Sequence, residues 1–111
     1  WVQVLRDPRL AKAIYAMHQR PGVNWQVEDL AREAGLSRSL FAERFLAATG
    51  TTPARYLTEL RMRLAVQYIT HEGQALEKVA FSLGYQSLAA FSRAFKRITG
   101  QPPGALRATA R

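Results

Sequence analysis

An internal repeat constrains the fold of this chain more than any other feature of its sequence. The first copy contains, in order, Leu30, Gly35, Ser37, Phe41, Phe45, Gly50 and Pro53. The second copy contains Val79, Gly84, Ser87, Phe91, Phe95, Gly100 and Pro103. The offset is 49 residues before the turn and 50 from the serine onward, so the second turn is one residue longer. Because each copy combines a short helix, a glycine-containing turn and a longer helix, the chain is predicted to contain two helix-turn-helix units.

Local signals divide the chain into seven helices and give no competing strand pattern. Asp7-Pro8 is a typical helix start, Ser37 and Ser87 are typical N-caps, and the glycines of the repeat are typical helix stops. Apolar residues at spacings of three and four mark the segments between these signals. The predicted helices are 8–19, 27–34, 38–49, 53–71, 75–83, 88–99 and a short one that opens at Pro102-Pro103. The predicted fold class is all-α.

The same periodicity predicts which side chains form the core. In the two longer helices of the repeat, the inward residues are Phe41, Phe45 and Ala48 in one copy and Phe91, Phe95 and Ile98 in the other. The phenylalanines are therefore interpreted as core residues and not as platforms for stacking bases. On the helix 53–71, the predicted apolar side consists of Tyr56, Leu57, Leu60, Leu64, Tyr68 and Ile69.

The chain is expected to comprise a short linker remnant and one domain built from two subdomains. Because the chain starts at Trp1, residues 1–6 are expected to be the remnant of a linker in a longer protein. The domain 7–111 is predicted to consist of a first helix-turn-helix subdomain at 7–52, a linker helix at 53–72 and a second subdomain at 73–108. A 19-residue helix is roughly 28 Å long, and successive major-groove faces of B-DNA lie ~34 Å apart. This length permits two recognition helices about one turn apart.

Composition favours a polyanionic partner and gives no support to catalysis. The 111 residues include 16 Lys+Arg against 8 Asp+Glu, a net charge of +8, which favours nucleic acid. There is no cysteine, His18 and His71 are far apart, and neither a zinc-protease motif nor a phosphate loop occurs. No catalytic residue, metal site or cofactor is predicted. No apolar run approaches the ~20 residues that span a bilayer.

Two stretches resemble a known family of DNA-binding domains. They are Leu30-Ala31-Arg32-Glu33-Ala34-Gly35-Leu36-Ser37-Arg38-Ser39 and the run from Gly84-Tyr85-Gln86-Ser87 through Phe91-Ser92-Arg93-Ala94-Phe95-Lys96. With the repeat, they resemble the DNA-binding domain of AraC/XylS-type transcription regulators over residues 8 to 107. The first stretch is similar to the branch of that family whose N-terminal half is a cupin-like sensor.

The resemblance implies an architecture, a partner and a location. It implies seven helices, with two helix-turn-helix units joined by one long helix, and insertion of both units into successive major grooves of double-stranded DNA. It also implies transcription regulation, often by contact with RNA polymerase, in the cytoplasm at the bacterial nucleoid. Effector binding and dimerisation are expected in an N-terminal domain outside this chain.

Each recognition helix must bury one face and turn the other toward the groove. Successive residues of a helix are rotated by about 100°, so the positions opposite Phe41 and Phe91 are the ones that face outward. By resemblance these positions contact bases, and the predicted base-reading residues are Ser39, Ala42, Glu43, Leu88, Ala89, Ser92 and Arg93. The predicted contacts to the DNA backbone are Ser37, Arg38, Arg44, Ser87, Lys96 and Arg97.

The two outward faces predict asymmetric recognition. Arg93 has the fork of donors that binds guanine O6 and N7 together, whereas Glu43, at the matching position of the first copy, accepts from cytosine N4 and repels phosphate. The family commonly has a basic residue where Glu43 stands. Leu46 likewise matches Lys96. The second helix-turn-helix is therefore expected to set the affinity, and the chain is expected to suit an asymmetric DNA site.

Two alternative functions accompany this interpretation, and the roles of two arginines stay open. A helix-turn-helix protein-interaction module without specific DNA binding would use the same scaffold, and binding to random duplex DNA would separate the two. Membrane association is the other alternative, but the sequence predicts no basic amphipathic helix with the exposed aromatic face that it requires. Arg61 and Arg63 lie on the long helix, and each could be solvated, paired with Glu59 or in contact with DNA. For Arg61, an internal structural contact is a further alternative.

Overall fold

The computed structural model describes residues 6–109, and the side chains of residues 6–106. Within this range all regular structure is helical, which confirms the predicted fold class. The helices are α1 (Pro8–Gln19), α2 (Val27–Ala34), α3 (Arg38–Thr49), α4 (Pro53–Thr70), α5 (Leu76–Ser82), α6 (Leu88–Thr99) and α7 (Gly104–Thr109). Most of the linker remnant expected at 1–6, namely residues 1–5, lies outside the described residues, as do residues 110 and 111.

The chain divides into two compact units within α4. Unit 1 is Trp1–Thr58 and unit 2 is Glu59–Arg111. The helix predicted to be a linker therefore contributes its first six residues to unit 1 and the remainder to unit 2. Each unit contains one copy of the repeat.

Unit 1 is built around two phenylalanines of α3. Phe41 and Phe45 are fully buried, and their ring centroids lie 5.6 Å apart. Phe45 meets the ring of Tyr56 edge-on at 5.6 Å, in the geometry that aromatic pairs favour. Helix α1 packs on α2 and α3, and its His18 Nε2 shares a 2.8 Å hydrogen bond with the Tyr56 hydroxyl. The first turn of α4 is thereby held to the unit 1 core.

Unit 2 repeats this core, with Ile98 as the largest departure from the predicted pattern. Its buried cluster consists of Met62, Ala65, Ile69, Val79, Ala80, Leu83, Phe91, Ala94 and Phe95. The prediction for Ile98 is wrong, because its side chain is 37% exposed. Ile98 lies in the last turn of α6, beyond Phe95, the last α6 residue in the cluster. Periodicity gives the direction of a side chain but not whether another element covers it.

Other predicted core positions lie at the edge of the core. Ala48 is half-buried. Leu64 and Tyr68, predicted to face inward, are also half-buried and pack on the outside of the unit 2 cluster. The α4 residues that are buried in the cluster include Met62 and Ala65 instead.

The two turns begin identically and differ only afterwards. Gly35 and Gly84 both adopt the left-handed conformation, with φ of +69° and +90°. In unit 1 the Leu36 N–H donates to the Ala31 carbonyl at 3.0 Å, and in unit 2 the Tyr85 N–H donates to the Ala80 carbonyl at 3.0 Å. Tyr85 is thus the counterpart of Leu36. The extra residue of the second turn is Gln86, between Tyr85 and the N-cap of α6.

The N-cap of α6 yields a stability prediction. The Ser87 hydroxyl accepts a hydrogen bond from the Ala90 N–H at 3.0 Å, as Ser37 does from Leu40 in unit 1. We expect Ser87→Ala to lower the free energy of unfolding by ~1 kcal/mol, because one N–H at the helix start loses its partner. Urea unfolding followed by circular dichroism measures this loss. Ser39→Ala, which removes an exposed hydroxyl inside α3, is the control and should change stability by less than about 0.5 kcal/mol. Equal effects of the two substitutions would contradict the capping role.

Candidate nucleic-acid interface

The outward face of α3 is weakly polar and carries one negative charge. Ser39 and Glu43 are exposed, and Ala42 is half-buried. Leu46, one turn beyond Ala42, is also exposed. Because Phe41 and Phe45 anchor the opposite side of the helix, these four side chains point away from the unit 1 core. The arrangement offers apolar contacts and acceptor atoms but no cation.

The outward face of α6 is cationic. Leu88, Ala89, Arg93, Lys96 and Arg97 are exposed, and Ser92 is half-buried. Within residues 6–109, Arg93, Lys96 and Arg97 form no ion pair. Their guanidinium and ammonium groups are therefore available to an external anion without displacing a protein carboxylate. The buried Phe91 and Phe95 fix the helix behind them.

The arginines predicted to hold the DNA backbone in unit 1 are already paired with carboxylates. Arg38 Nε lies 3.1 Å from Glu28 Oε1, and Arg44 Nη1 lies 3.9 Å from Asp7 Oδ2. Both arginine side chains are more than two-fifths exposed, so water and salt weaken these pairs to about 0–1 kcal/mol each. A phosphate can displace such a carboxylate at small cost.

The total charge of each unit follows the same trend as its recognition helix, with unit 2 the more positive. Unit 1 contains eight Lys and Arg against five Asp and Glu, whereas unit 2 contains eight against three. Two further pairs in unit 1 join Arg32 to Asp29 at 3.3 Å and Arg20 to Glu33 at 3.9 Å. The positive potential that attracts a polyanion is therefore stronger around unit 2.

Ser37 and Ser87, predicted as backbone contacts, both serve as helix caps. Each hydroxyl accepts from a backbone N–H within its own helix start, and each residue is exposed. A phosphate placed there would meet the positive end of the helix dipole as well as the hydroxyl. The capping and backbone-contact roles are compatible.

The sequence left Arg61 open, and the structure places it inside unit 2. Its side chain is half-buried, and its guanidinium carbon lies 5.7 Å from the centroid of the Tyr85 ring. Arg63, two residues along α4, is exposed. The internal contact was among the alternatives considered for Arg61, but its partner could not be identified from spacing, because Tyr85 is 24 residues away in the sequence.

Two other kinds of site are absent from the part of the chain that the structure describes. Across residues 6–109, no group of three or more His, Cys, Asp or Glu side chains is arranged to bind a metal ion. In the same range, no helix combines the length and the apolar character needed to cross a membrane.

Comparison with known proteins relates the whole described fold to one family. A model of the helix-turn-helix domain family matches residues 30–109. An AraC-like transcription regulator from Streptomyces lividans is 43% identical over 104 residues, which are 94% of this chain and 34% of that protein. The RCS-specific transcriptional activator RclR from Escherichia coli is 41% identical over 106 residues, which are 96% of this chain and 37% of that protein. This chain spans about a third of the length of the curated relatives it matches.

Solved structures show the same similarity. The DNA-binding domain of the global transcriptional factor AdpA, solved in complex with a target DNA, superposes with a TM-score of 0.85 at 30% identity and covers 92% of each chain. A transcriptional regulator of the AraC-type DNA-binding class from Chromobacterium violaceum gives a TM-score of 0.84 at 25% identity, covering 93% of this chain and 92% of that one.

Proposed function

The chain belongs to the AraC-type family of helix-turn-helix transcription regulators, and we propose that it binds double-stranded DNA at specific sequences to control transcription. The observation that carries this proposal is the outward face of α6. Its three cations are exposed and form no ion pair within residues 6–109, on a helix whose other side is locked by buried phenylalanines. Such a face suits the major groove, which is lined by acceptor atoms and flanked by phosphates.

In unit 2, the proposed roles follow from side-chain chemistry. Arg93 binds the O6 and N7 atoms of one guanine, and Ser92 and Ala89 meet neighbouring base edges. Lys96 and Arg97 neutralise phosphates on either side, while Leu88 contacts bases at the start of the helix. Together these contacts let unit 2 provide most of the affinity and the strongest base preference.

In unit 1, the proposed contacts are weaker and of a different kind. Glu43 accepts from cytosine N4, and Ala42 contacts a thymine methyl group, with Ser39 at the edge of the groove. Arg38 and Arg44 bind phosphates after giving up Glu28 and Asp7. The two units therefore recognise different sequences, which requires an asymmetric site, and we propose that their recognition helices enter successive major grooves.

A second part of the proposal concerns a full-length regulator of which this chain would be the DNA-binding part. The relatives are transcription regulators rather than enzymes, and about two-thirds of their length lies outside the matched region. We propose that effector binding and dimerisation reside in such a region, and that the regulator acts in the cytoplasm, in part through RNA polymerase.

Salt dependence tests the electrostatic part of the proposal. Four cations are assigned to phosphates, and each neutralised phosphate contributes about −0.9 to the slope of log affinity against log salt concentration. We therefore expect a slope of about −3 to −4 on random duplex DNA, measured by fluorescence anisotropy between about 50 and 200 mM salt. A slope near zero would contradict the assignment. No binding to any duplex at the low end of the range would favour a protein-interaction module instead.

A further inference from the structure

The turn of unit 2 is anchored by a contact that its counterpart in unit 1 does not contain. Tyr85 stands where unit 1 has Leu36, and the Arg61 guanidinium lies over the Tyr85 ring at 5.7 Å from its centroid. This separation is within the range in which a cation is attracted by an aromatic face. Leu36 offers neither an aromatic face nor a hydroxyl. The turn of unit 2 therefore has a cation–π contact that Leu36 cannot form in unit 1.

The contact compensates a half-buried cation. Burial lowers the pKa of the Arg61 guanidinium below its ordinary value, and the charge interaction and hydrogen bond with Tyr85 oppose this shift. Burial likewise raises the pKa of Tyr85 above 10.0, against the opposing effect of Arg61 and Arg97. The raised pKa keeps the Tyr85 phenol neutral at neutral pH, and the guanidinium is charged because arginine is not deprotonated in proteins. Tyr85 therefore offsets part of the desolvation of this cation.

Tyr85 connects this cation to the recognition helix. Its ring lies 5.6 Å from the ring of Phe91, which lies 5.7 Å from the ring of Phe95. Phe91 is two residues before Arg93 in α6. The position of the Tyr85 ring therefore bears directly on the helix that presents Arg93 to the groove.

The longer second turn gives such an anchor a structural role. Gln86 adds two backbone torsions between the end of the turn and the Ser87 cap, and it is exposed. The added freedom allows more than one entry path into α6. An aromatic side chain in contact with both Arg61 and Phe91 restricts that freedom.

We propose that Arg61 is a positioning residue for DNA recognition by unit 2. It holds Tyr85 in place, and through Tyr85 and Phe91 it sets the orientation of α6 and hence of Arg93. Arg61 does not touch DNA in this role. The proposal rests on the proposed function, because orientation of α6 has a consequence only if Arg93 reads a base.

The test compares Arg61→Met with Arg63→Met in this 111-residue chain. Both remove one cation from α4, but Arg63 is exposed, so the second variant controls for net charge and for general attraction to DNA. Affinity is measured for a duplex selected by the wild-type protein, for the same duplex with the guanine assigned to Arg93 replaced by adenine, and for random duplex. Thermal unfolding by circular dichroism accompanies each variant.

We expect Arg61→Met to reduce discrimination at that one base pair by about tenfold, within the range of a single bidentate contact. Its affinity for random duplex should match that of Arg63→Met. Arg61→Lys, which keeps a cation over the ring, should retain discrimination within about threefold of wild type. Adding Arg61→Met to Arg93→Ala should change discrimination no further.

Several outcomes would overturn the proposal. One is wild-type discrimination in Arg61→Met, and another is an equal loss in Arg63→Met. Weakening by the same factor on every duplex would assign Arg61 to general stability. If Arg61→Met does not fold, the proposal is tested with Arg61→Lys and Tyr85→Leu. A Tyr85→Leu variant that folds and keeps the wild-type preference at that base pair would refute the proposal. If the wild type selects no sequence, the proposed function fails as well, whereas normal selection with an unaffected Arg61→Met refutes only the role of Arg61.

Discussion

Phe91→Ala is expected to lower the free energy of unfolding of unit 2 by about 3–5 kcal/mol. The Phe91 side chain has no exposed surface and lies in the cluster formed by α4, α5 and α6. It contacts the rings of Tyr85 and Phe95, with centroids 5.6 and 5.7 Å away. Truncation removes the transfer free energy of a whole ring and leaves a cavity that helices held by other contacts cannot close. Urea unfolding, followed by hydrogen exchange resolved by residue, measures the loss.

Phe81→Ala is the matched control for this prediction. It is the same substitution in the same unit, but Phe81 is 52% exposed on α5. About half of the Phe81 side chain is still buried, so its effect should be only about 1 kcal/mol. A loss below about 1 kcal/mol for Phe91→Ala, or similar losses for both variants, would mean that the buried cluster is not the basis of unit 2 stability.

Arg93→Ala is expected to weaken binding to the selected site by ~1–3 kcal/mol and to remove the preference at one base pair. The reason is geometric, because alanine has no donors to reach guanine O6 and N7. Binding isotherms on the selected duplex and on its three variants at that base pair measure both effects.

Arg97→Ala separates base reading from phosphate binding. Arg97 is exposed on the same helix and is assigned to the backbone. Its loss should weaken binding by a similar factor on all sequences and reduce the magnitude of the salt slope by about 1. If Arg93→Ala instead behaves in this uniform way, Arg93 contacts phosphate and the assignment of base reading to it is wrong.

Much of the fold could be predicted because its signals are local. The boundaries of α3 and α6 follow from Ser37 and Ser87 as caps and from the glycines that end each helix, and the structure has both helices at the predicted residues. The buried phenylalanines follow from their spacing. These features depend on residues within one or two turns of each other, so a single sequence contains all the information they need.

The errors and gaps concern contacts between distant residues. Ile98 has the phase expected of a buried residue, but it lies in the last turn of α6, beyond the buried cluster, and its side chain is 37% exposed. The pairing of Arg38 with Glu28 joins two helices and leaves no periodic signal. Arg61 could not be assigned to Tyr85 for the same reason. The assignment of individual residues to bases remains a prediction, because it depends on a DNA surface that the sequence does not encode.

The repeat preserves the core and diversifies the surface. Phe41 and Phe45 correspond to Phe91 and Phe95, and all four are buried. In contrast, Arg44 forms an ion pair with Asp7, whereas its counterpart Ala94 is buried in the unit 2 cluster. The same scaffold thus presents a mostly neutral outward face in one unit and a cationic face in the other.

Selection of bound sequences from random duplex DNA, followed by footprinting of the selected site, tests the central claim most directly. We expect an asymmetric site with two protected major-groove segments about one helical turn, ~10 base pairs, apart. The segment bound by unit 2 should contain an invariant guanine that becomes variable when the selection is repeated with Arg93→Ala. A single protected segment, or the absence of any enriched sequence, would contradict recognition of specific DNA by both units.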